Sequence, residues 1–287
     1  MAVYIISLSL IIFLDKTKLY FRSMVKYFLL LLIAFFSCID GFSQIDKIDT
    51  DRPDQTESAV TVPKKWVQFE AGFLRASNKN PAPNQQRFKN IDFEHPTLLS
   101  KYGLTKCFEL RLITTYATSR GKENSTIIDR QSGISGMELG GKINFFGEKG
   151  ARPKTSLIAH YDFARLRSLS KDTIDGANFR FTMQHTITKI ISLGYNIGME
   201  WERFGSAPAY IYTFAPGFSI GEKWYAYIEA FGFIWKDEDP ENSIDGGIAY
   251  YINDNFKVDI SAGFGISKRA PDNYFAIGTS FRFKAGK

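Results

Sequence analysis

Cysteine is nearly absent from this chain: 287 residues contain two, Cys38 and Cys107. Two cysteines cannot supply a four-cysteine zinc site. Cys38 falls in a segment read below as a removed leader, so Cys107 is expected to remain as a lone packing residue beside Phe108, with no disulfide in the mature chain. Histidine is almost as scarce. His95, His160 and His185 are the three present, and none is spaced from another as a metal pair on a helix requires. No Gly-x-Ser-x-Gly and no phosphate-binding glycine loop occurs. Charge of one sign is not in large excess: the formal balance is +6 and the basic residues do not cluster, so there is no nucleic-acid footprint. Apolar runs long enough to span a bilayer as helices are missing beyond the N-terminus, and the mean hydropathy is −0.17. That excludes a polytopic helical membrane protein but not a barrel, whose strands are apolar only at alternate positions.

Aromatic residues and glycine are what the chain has in quantity: 15% aromatic, with 26 Phe and 23 Gly. This suits strands with one lipid-facing side and one crowded lumenal side.

Residues 24–44 read as a cleavable signal peptide. Met24-Val25-Lys26 supplies the basic start and Phe28–Phe36 the apolar core, which is too short to span a bilayer. Gly41-Phe42-Ser43-Gln44 supplies small residues for cleavage. Residues 1–23 read as upstream sequence ahead of a true start at Met24, the rival reading being a long leader or an inner-membrane anchor. Phe36-Ser37-Cys38 is a partial lipoprotein box without the usual preceding Leu. Residues 45–63 are polar and aperiodic, and 64–287 carry the strand pattern.

Period-2 alternation starts at Trp66 and recurs to Phe283, one side apolar and the other polar. Strands are expected at 65–75, 91–101, 107–117, 136–146, 155–165, 177–187, 190–201, 209–220, 224–235, 243–252, 255–266 and 273–283. Four of these are less regular. Pro96 and Pro216 interrupt two of them and fit best at a bulge or strand start. In 224–235 the residues Tyr225, Tyr227, Phe231 and Phe233 share a face with Glu229, which leaves its orientation open. Long and short connections alternate: 78–90, 119–133 and 167–176 are long, whereas 103–106, 188–189, 221–223 and 253–255 are short. The moderate 147–153 connection is the one lapse. An up-and-down barrel with both termini in the periplasm sorts its loops this way. The expected fold is therefore all-β: an antiparallel up-and-down transmembrane barrel of about twelve strands.

The polar faces carry Glu70, Glu109, Arg111, Glu138, Lys142, Asp162, Arg180, Glu200, Lys257 and Asp259. These are candidate lumen-lining residues. They either set the selectivity of an open pore or pair across strands and fill a narrow one. The segment Asp49–Glu57, with Asp51, Arg52 and Asp54, is either a small plug folded back into the lumen or a periplasmic tail. Tyr102, Tyr116, Trp201, Trp224 and Trp235 are candidates for interfacial girdles. His160 and Asp162 share a strand face and could orient a base, but the plainer reading is a polar lumenal pair. The final strand ends Gly278–Phe283, and the paired aromatics Phe281 and Phe283 resemble the C-terminal signal read by the barrel-assembly machinery, here followed by Lys284–Lys287.

Four stretches carry a family resemblance: Thr50–Phe73 (TDRPDQTESAVTVPKKWVQFEAGF), Pro96–Arg111 (PTLLSKYGLTKCFELR), Tyr251–Gly265 (YINDNFKVDISAGFG) and Tyr274–Phe283 (YFAIGTSFRF). Together they resemble the outer-membrane proteins grouped as "MetA-pathway of phenol degradation". The resemblance implies an outer-membrane barrel with a transport role, and its name suggests apolar or aromatic solutes. The expected partners are outer-membrane lipid and small solutes, with no cofactor, metal or catalytic residues. The alternatives are an outer-membrane lipid or ester hydrolase with a Ser–His site at the rim, and a non-conducting structural or adhesion barrel whose long loops bind partners.

Overall fold

The computed structural model describes residues 47–79, 88–123, 126–170 and 172–286. The signal peptide, the upstream segment and Cys38 lie outside the described residues.

Twelve strands close into one antiparallel barrel in sequence order, β12 pairing back onto β1. They are β1 (Trp66–Lys79), β2 (Phe88–Gly103), β3 (Phe108–Glu123), β4 (Thr126–Phe146), β5 (Lys154–Asp162), β6 (Gly176–Thr186), β7 (Ile191–Trp201), β8 (Ala209–Ile220), β9 (Trp224–Ile234), β10 (Glu241–Asn253), β11 (Phe256–Gly265) and β12 (Asn273–Lys284). A 3-10 turn, Ala164–Leu166, is the one helical element among the described residues. Closure satisfies every strand edge, which a sheet surrounded by hydrocarbon requires.

The alternation in the sequence becomes an inside and an outside. On β11, Val258, Ile260 and Phe264 are exposed on the exterior, whereas Lys257, Asp259 and Ser261 are buried within. On β3, Leu110, Leu112 and Tyr116 are exposed and Glu109 and Arg111 are buried. The result is apolar side chains exposed outward and charged side chains buried inward, the reverse of a water-soluble protein and the arrangement of an outer-membrane barrel. Tyr102, Tyr116 and Trp224 are exposed on that exterior.

One expectation needs correction, and one orientation left open is decided. The long loop 119–133 is instead a strand ribbon: β3 continues to Glu123 and β4 begins at Thr126, paired from Glu123↔Thr126 down to Tyr116↔Ile134. Ser, Thr and Gly in that stretch hid the strand, because its cross-strand hydrogen bonds need no apolar face once it rises clear of lipid. The strand 224–235 takes the less obvious orientation, with Tyr227 and Glu229 both buried in the lumen and Ile228 exposed outside.

Of the two interrupting prolines, Pro96 falls at a bulge, where the pairing of β2 shifts between Glu94 and Thr97. Pro216 keeps its place opposite Leu193 on β7 while the register runs on unshifted.

Candidate lumenal site

All ten sequence-predicted lumenal residues face inward. Glu70, Glu109, Arg111, Lys142, Lys257 and Asp259 are fully buried, and Glu138, Asp162, Arg180 and Glu200 are partly so. What buries them is the chain before β1. Residues 47–63 lie inside the barrel at the end of the short turns. Ile48 N–H donates to Asp254 O at 2.7 Å, and Lys65 N–H donates to Gly103 O at 2.8 Å. Those contacts fix both ends of the segment to the rim.

Between those ends the segment touches most of the wall. The Asp51 carboxylate is gripped by three cations from successive strands: Lys101 on β2 at 2.6 Å, Arg111 on β3 at 2.8 Å and Lys142 on β4 at 3.1 Å. Lys101 also pairs with Glu70, and Arg111 with Glu109 at 3.0 Å. Arg111 makes a further pair with Glu57 of the segment at 2.5 Å. Seven charges are thereby packed together, each with an opposite partner, which is the condition for charges to be tolerated out of water.

The far wall holds the segment differently. Asp259 on β11 receives Arg52 at 3.1 Å. Glu229 on β9 accepts hydrogen bonds from Gln55 N–H at 2.7 Å and Thr56 Oγ1 at 2.5 Å. Asn196 on β7 clasps Glu57 twice, accepting from its N–H at 2.7 Å and donating to its carbonyl at 3.1 Å. Ser156 on β5 donates to Ala59 O at 2.6 Å. Most of these wall groups meet backbone, so the segment's path as well as its side chains is specified. Glycine makes room for it. A Cβ at Gly72 or Gly278 would fall on the Arg52 guanidinium, and one at Gly194 on Thr56.

Three carboxyls of the segment titrate differently. Burial pushes Asp51 up, but Lys101, Lys142 and Arg111 outweigh it and hold the group well below its ordinary range. Burial likewise opposes Glu57, which Arg111 and Arg180 bring below its ordinary value. Asp54 has Lys257 against burial and two carboxylates, Asp245 and Asp51, adding to it, and it is pushed up to about 8. A polar cavity of about 100 Å³ lies beside the segment on the β6–β11 side, lined by Asp54, Ser192, Tyr225, Tyr251 and Lys257 among others.

His160 and Asp162 are not brought together as a base and its orienter. His160 accepts from Arg111 Nε at 3.0 Å through Nε2 and contacts Asn178 at 3.1 Å through Nδ1. Asp162 pairs with Arg167 at 3.4 Å. The sequence reading missed Lys101, Asn196 and Glu229. Lys101 stood in a strand obscured by Pro96. Glu229 was visible as a charge on an aromatic face, which inside a barrel marks the lumen.

The family model described as "Putative MetA-pathway of phenol degradation" matches residues 50–283. It therefore takes in most of the lumenal segment and the whole barrel. Among solved structures, the COG4313 outer membrane channel from Pseudomonas putida F1 is 9% identical with a TM-score of 0.64, covering 83% of this chain and 100% of that one. The CymD monoaromatic hydrocarbon channel is 9% identical with a TM-score of 0.45, covering 78% and 89%. The KdgM porin is 9% identical with a TM-score of 0.46, covering 76% and 99%. The likeness to the Pseudomonas channel is one of fold. No curated protein matches the sequence.

Proposed function

Because the chain belongs to the family of that description and folds as an outer-membrane barrel, we propose that it is a channel for passive movement of small solutes, closed from the periplasmic side by residues 47–63. The observation that carries this is the Asp51 carboxylate held by Lys101, Arg111 and Lys142. The charges and hydrogen bonds that hold the segment are exchanged for water when it withdraws, which makes an open state accessible.

On this reading residues 24–44 are the removed signal peptide and 1–23 precede the true start. Residues 45–63 are the plug segment and 64–287 the barrel, with Phe281 and Phe283 presented to the assembly machinery. Withdrawal of the segment exposes Glu70, Glu109, Arg111, Lys142, Lys257 and Asp259 to the passage. Glu138, Asp162, Arg180 and Glu200 line its outer half. The family's description favours apolar or aromatic solutes. We assign the protein no catalytic step, since His160 is occupied by Arg111 and Asn178.

The test is single-channel conductance in a planar bilayer, comparing the mature chain from Gln44 with a variant lacking 45–60. Larger and more frequent openings in the deletion, with ion selectivity that shifts in Arg111→Ala or Glu109→Ala, support the reading. Unchanged conductance sinks the plug. A folded barrel silent in both forms sinks the channel.

A further inference from the structure

Beyond the lipid-facing band, the first four strands rise as a continuous wall at the end opposite the lumenal segment. The bulge of β2 between Glu94 and Thr97 and the shift of β4 between Gly136 and Ile134 lie on the two strands that flank β3, where this extension begins. The exterior face of the extension can be followed strand by strand. On β1 the exposed exterior residue Phe73 is followed at the next alternate position by the exposed Arg75. On β3 the exposed exterior positions Leu110, Leu112 and Tyr116 lead, past the buried Thr118, to the half-buried Arg120 and Lys122. Residues directly opposite in the ladder share a face. Arg75↔Phe93, Lys89↔Lys122 and Arg120↔Arg130 are such pairs.

Arg75, Lys89, Arg120, Lys122 and Arg130 thus occupy one exterior face, immediately above the apolar belt. The carboxylates of the same extension take the other face. Glu94 is opposite Leu74 and Ala117, Asp92 opposite Ala76 and Ser119, Asp129 opposite Gly121, and Glu123 opposite Phe88. Among the described residues none of the five cations has an ion-pair partner. The Arg120 guanidinium packs 4.7 Å from the Phe93 ring centre, with its Nε buried and unbonded.

Like charges placed directly opposite on a sheet repel, and here two such pairs are adjacent while every carboxylate of the wall points away. An arrangement of that kind is stable when an anion bridges the cations. At this height on a barrel the neighbouring anion is the phosphate of an outer-leaflet lipid, whose acyl chains lie along Phe73 and Tyr116. We propose that the exterior of the β1–β4 extension is a binding site for a phosphorylated outer-leaflet glycolipid of the lipid A type. Arg120, Lys122, Lys89 and Arg130 engage its phosphates, and the apolar belt below receives its acyl chains. The site anchors the extension in the leaflet. It does not depend on whether the lumen conducts.

The test is native mass spectrometry of the detergent-released full-length mature protein, titrated with bisphosphorylated lipid A and, separately, with the dephosphorylated lipid. The protein is expected to retain the phosphorylated lipid. The combined variant Arg120→Gln, Lys122→Gln, Arg130→Gln is expected to weaken retention at least about tenfold, as loss of a single charge-assisted contact already suffices to do. Lys223→Gln, at the short-turn end, should leave retention unchanged. Heat-modifiable migration on gels establishes that each variant is folded, and the exposed single substitution Arg130→Gln serves if the combined one is not. Equal retention by the variant, or of the dephosphorylated lipid by the parent protein, overturns the proposal. So does stronger retention of a soluble polyanion such as heparin, which would assign the face to an extracellular polysaccharide.

Discussion

Replacing Asp51 by Asn keeps the shape of the side chain and removes the charge that three buried cations share. The carboxylate faces Lys101 at 2.6 Å, Arg111 at 2.8 Å and Lys142 at 3.1 Å, and it also accepts the Ser58 N–H at 2.8 Å. Removing one partner of a buried ion pair costs about 3–5 kcal/mol, because the remaining charge is left desolvated. Arg111 keeps Glu57 and Glu109, and Lys101 keeps Glu70, so the lower end applies. About 3 kcal/mol is about a hundredfold in the closed-to-open ratio. Single-channel recording of Asp51→Asn should therefore show open probability raised by about that factor, with single-channel current unchanged. The double variant Asp51→Leu, Lys142→Met removes both charges and should recover much of the closed population, since an apolar pair of similar volume replaces an ion pair at little cost. A folded Asp51→Asn barrel with the parent's open probability would refute the argument that this cluster holds the segment in place.

Closure should depend on pH in two opposite ways. Asp54, raised to about 8 when docked, favours docking fully below its ordinary value of about 3.9, and that contribution is lost progressively as pH rises towards 8. Open probability should climb between pH 5 and 8.5, and Asp54→Asn should flatten the climb. Asp51 and Glu57, both lowered, stabilise docking above the ordinary carboxylate range and lose that contribution as pH falls through their docked values, so a second opening is expected in strong acid. Gly72→Ala places a Cβ on the Arg52 guanidinium; recordings should show more frequent opening, and Arg52→Ala in the same chain should remove the difference. Ile260→Lys on the exposed exterior of β11 should destabilise the barrel by about 2–4 kcal/mol near the bilayer midplane, read from urea titration of the folded gel band.

Sequence alone determined the barrel. The period-2 alternation from Trp66 to Phe283 separates two media, and the sorting of short turns from long connections gives the winding. Both are local properties, repeated strand after strand, so they survive without knowledge of contacts. The same alternation identified Glu109, Arg111 and Lys142 as lumenal. It failed where polarity stops distinguishing the faces: in the 119–133 ribbon, clear of lipid, and in β9, where tyrosines fill the lumen. The tertiary structure decided where residues 47–63 go. TDRPDQTES has no period, and its charges suit water as well as they suit a lumen. What settles it is three cations delivered from three separate strands to one point, with Asn196, Glu229 and Ser156 arriving from the opposite side. Those contacts join residues as far as 174 positions apart, and the barrel must close before they exist. Period and turn length act between neighbours in the chain, whereas the Coulombic fit of a segment to its container acts only between parts that folding has already brought together.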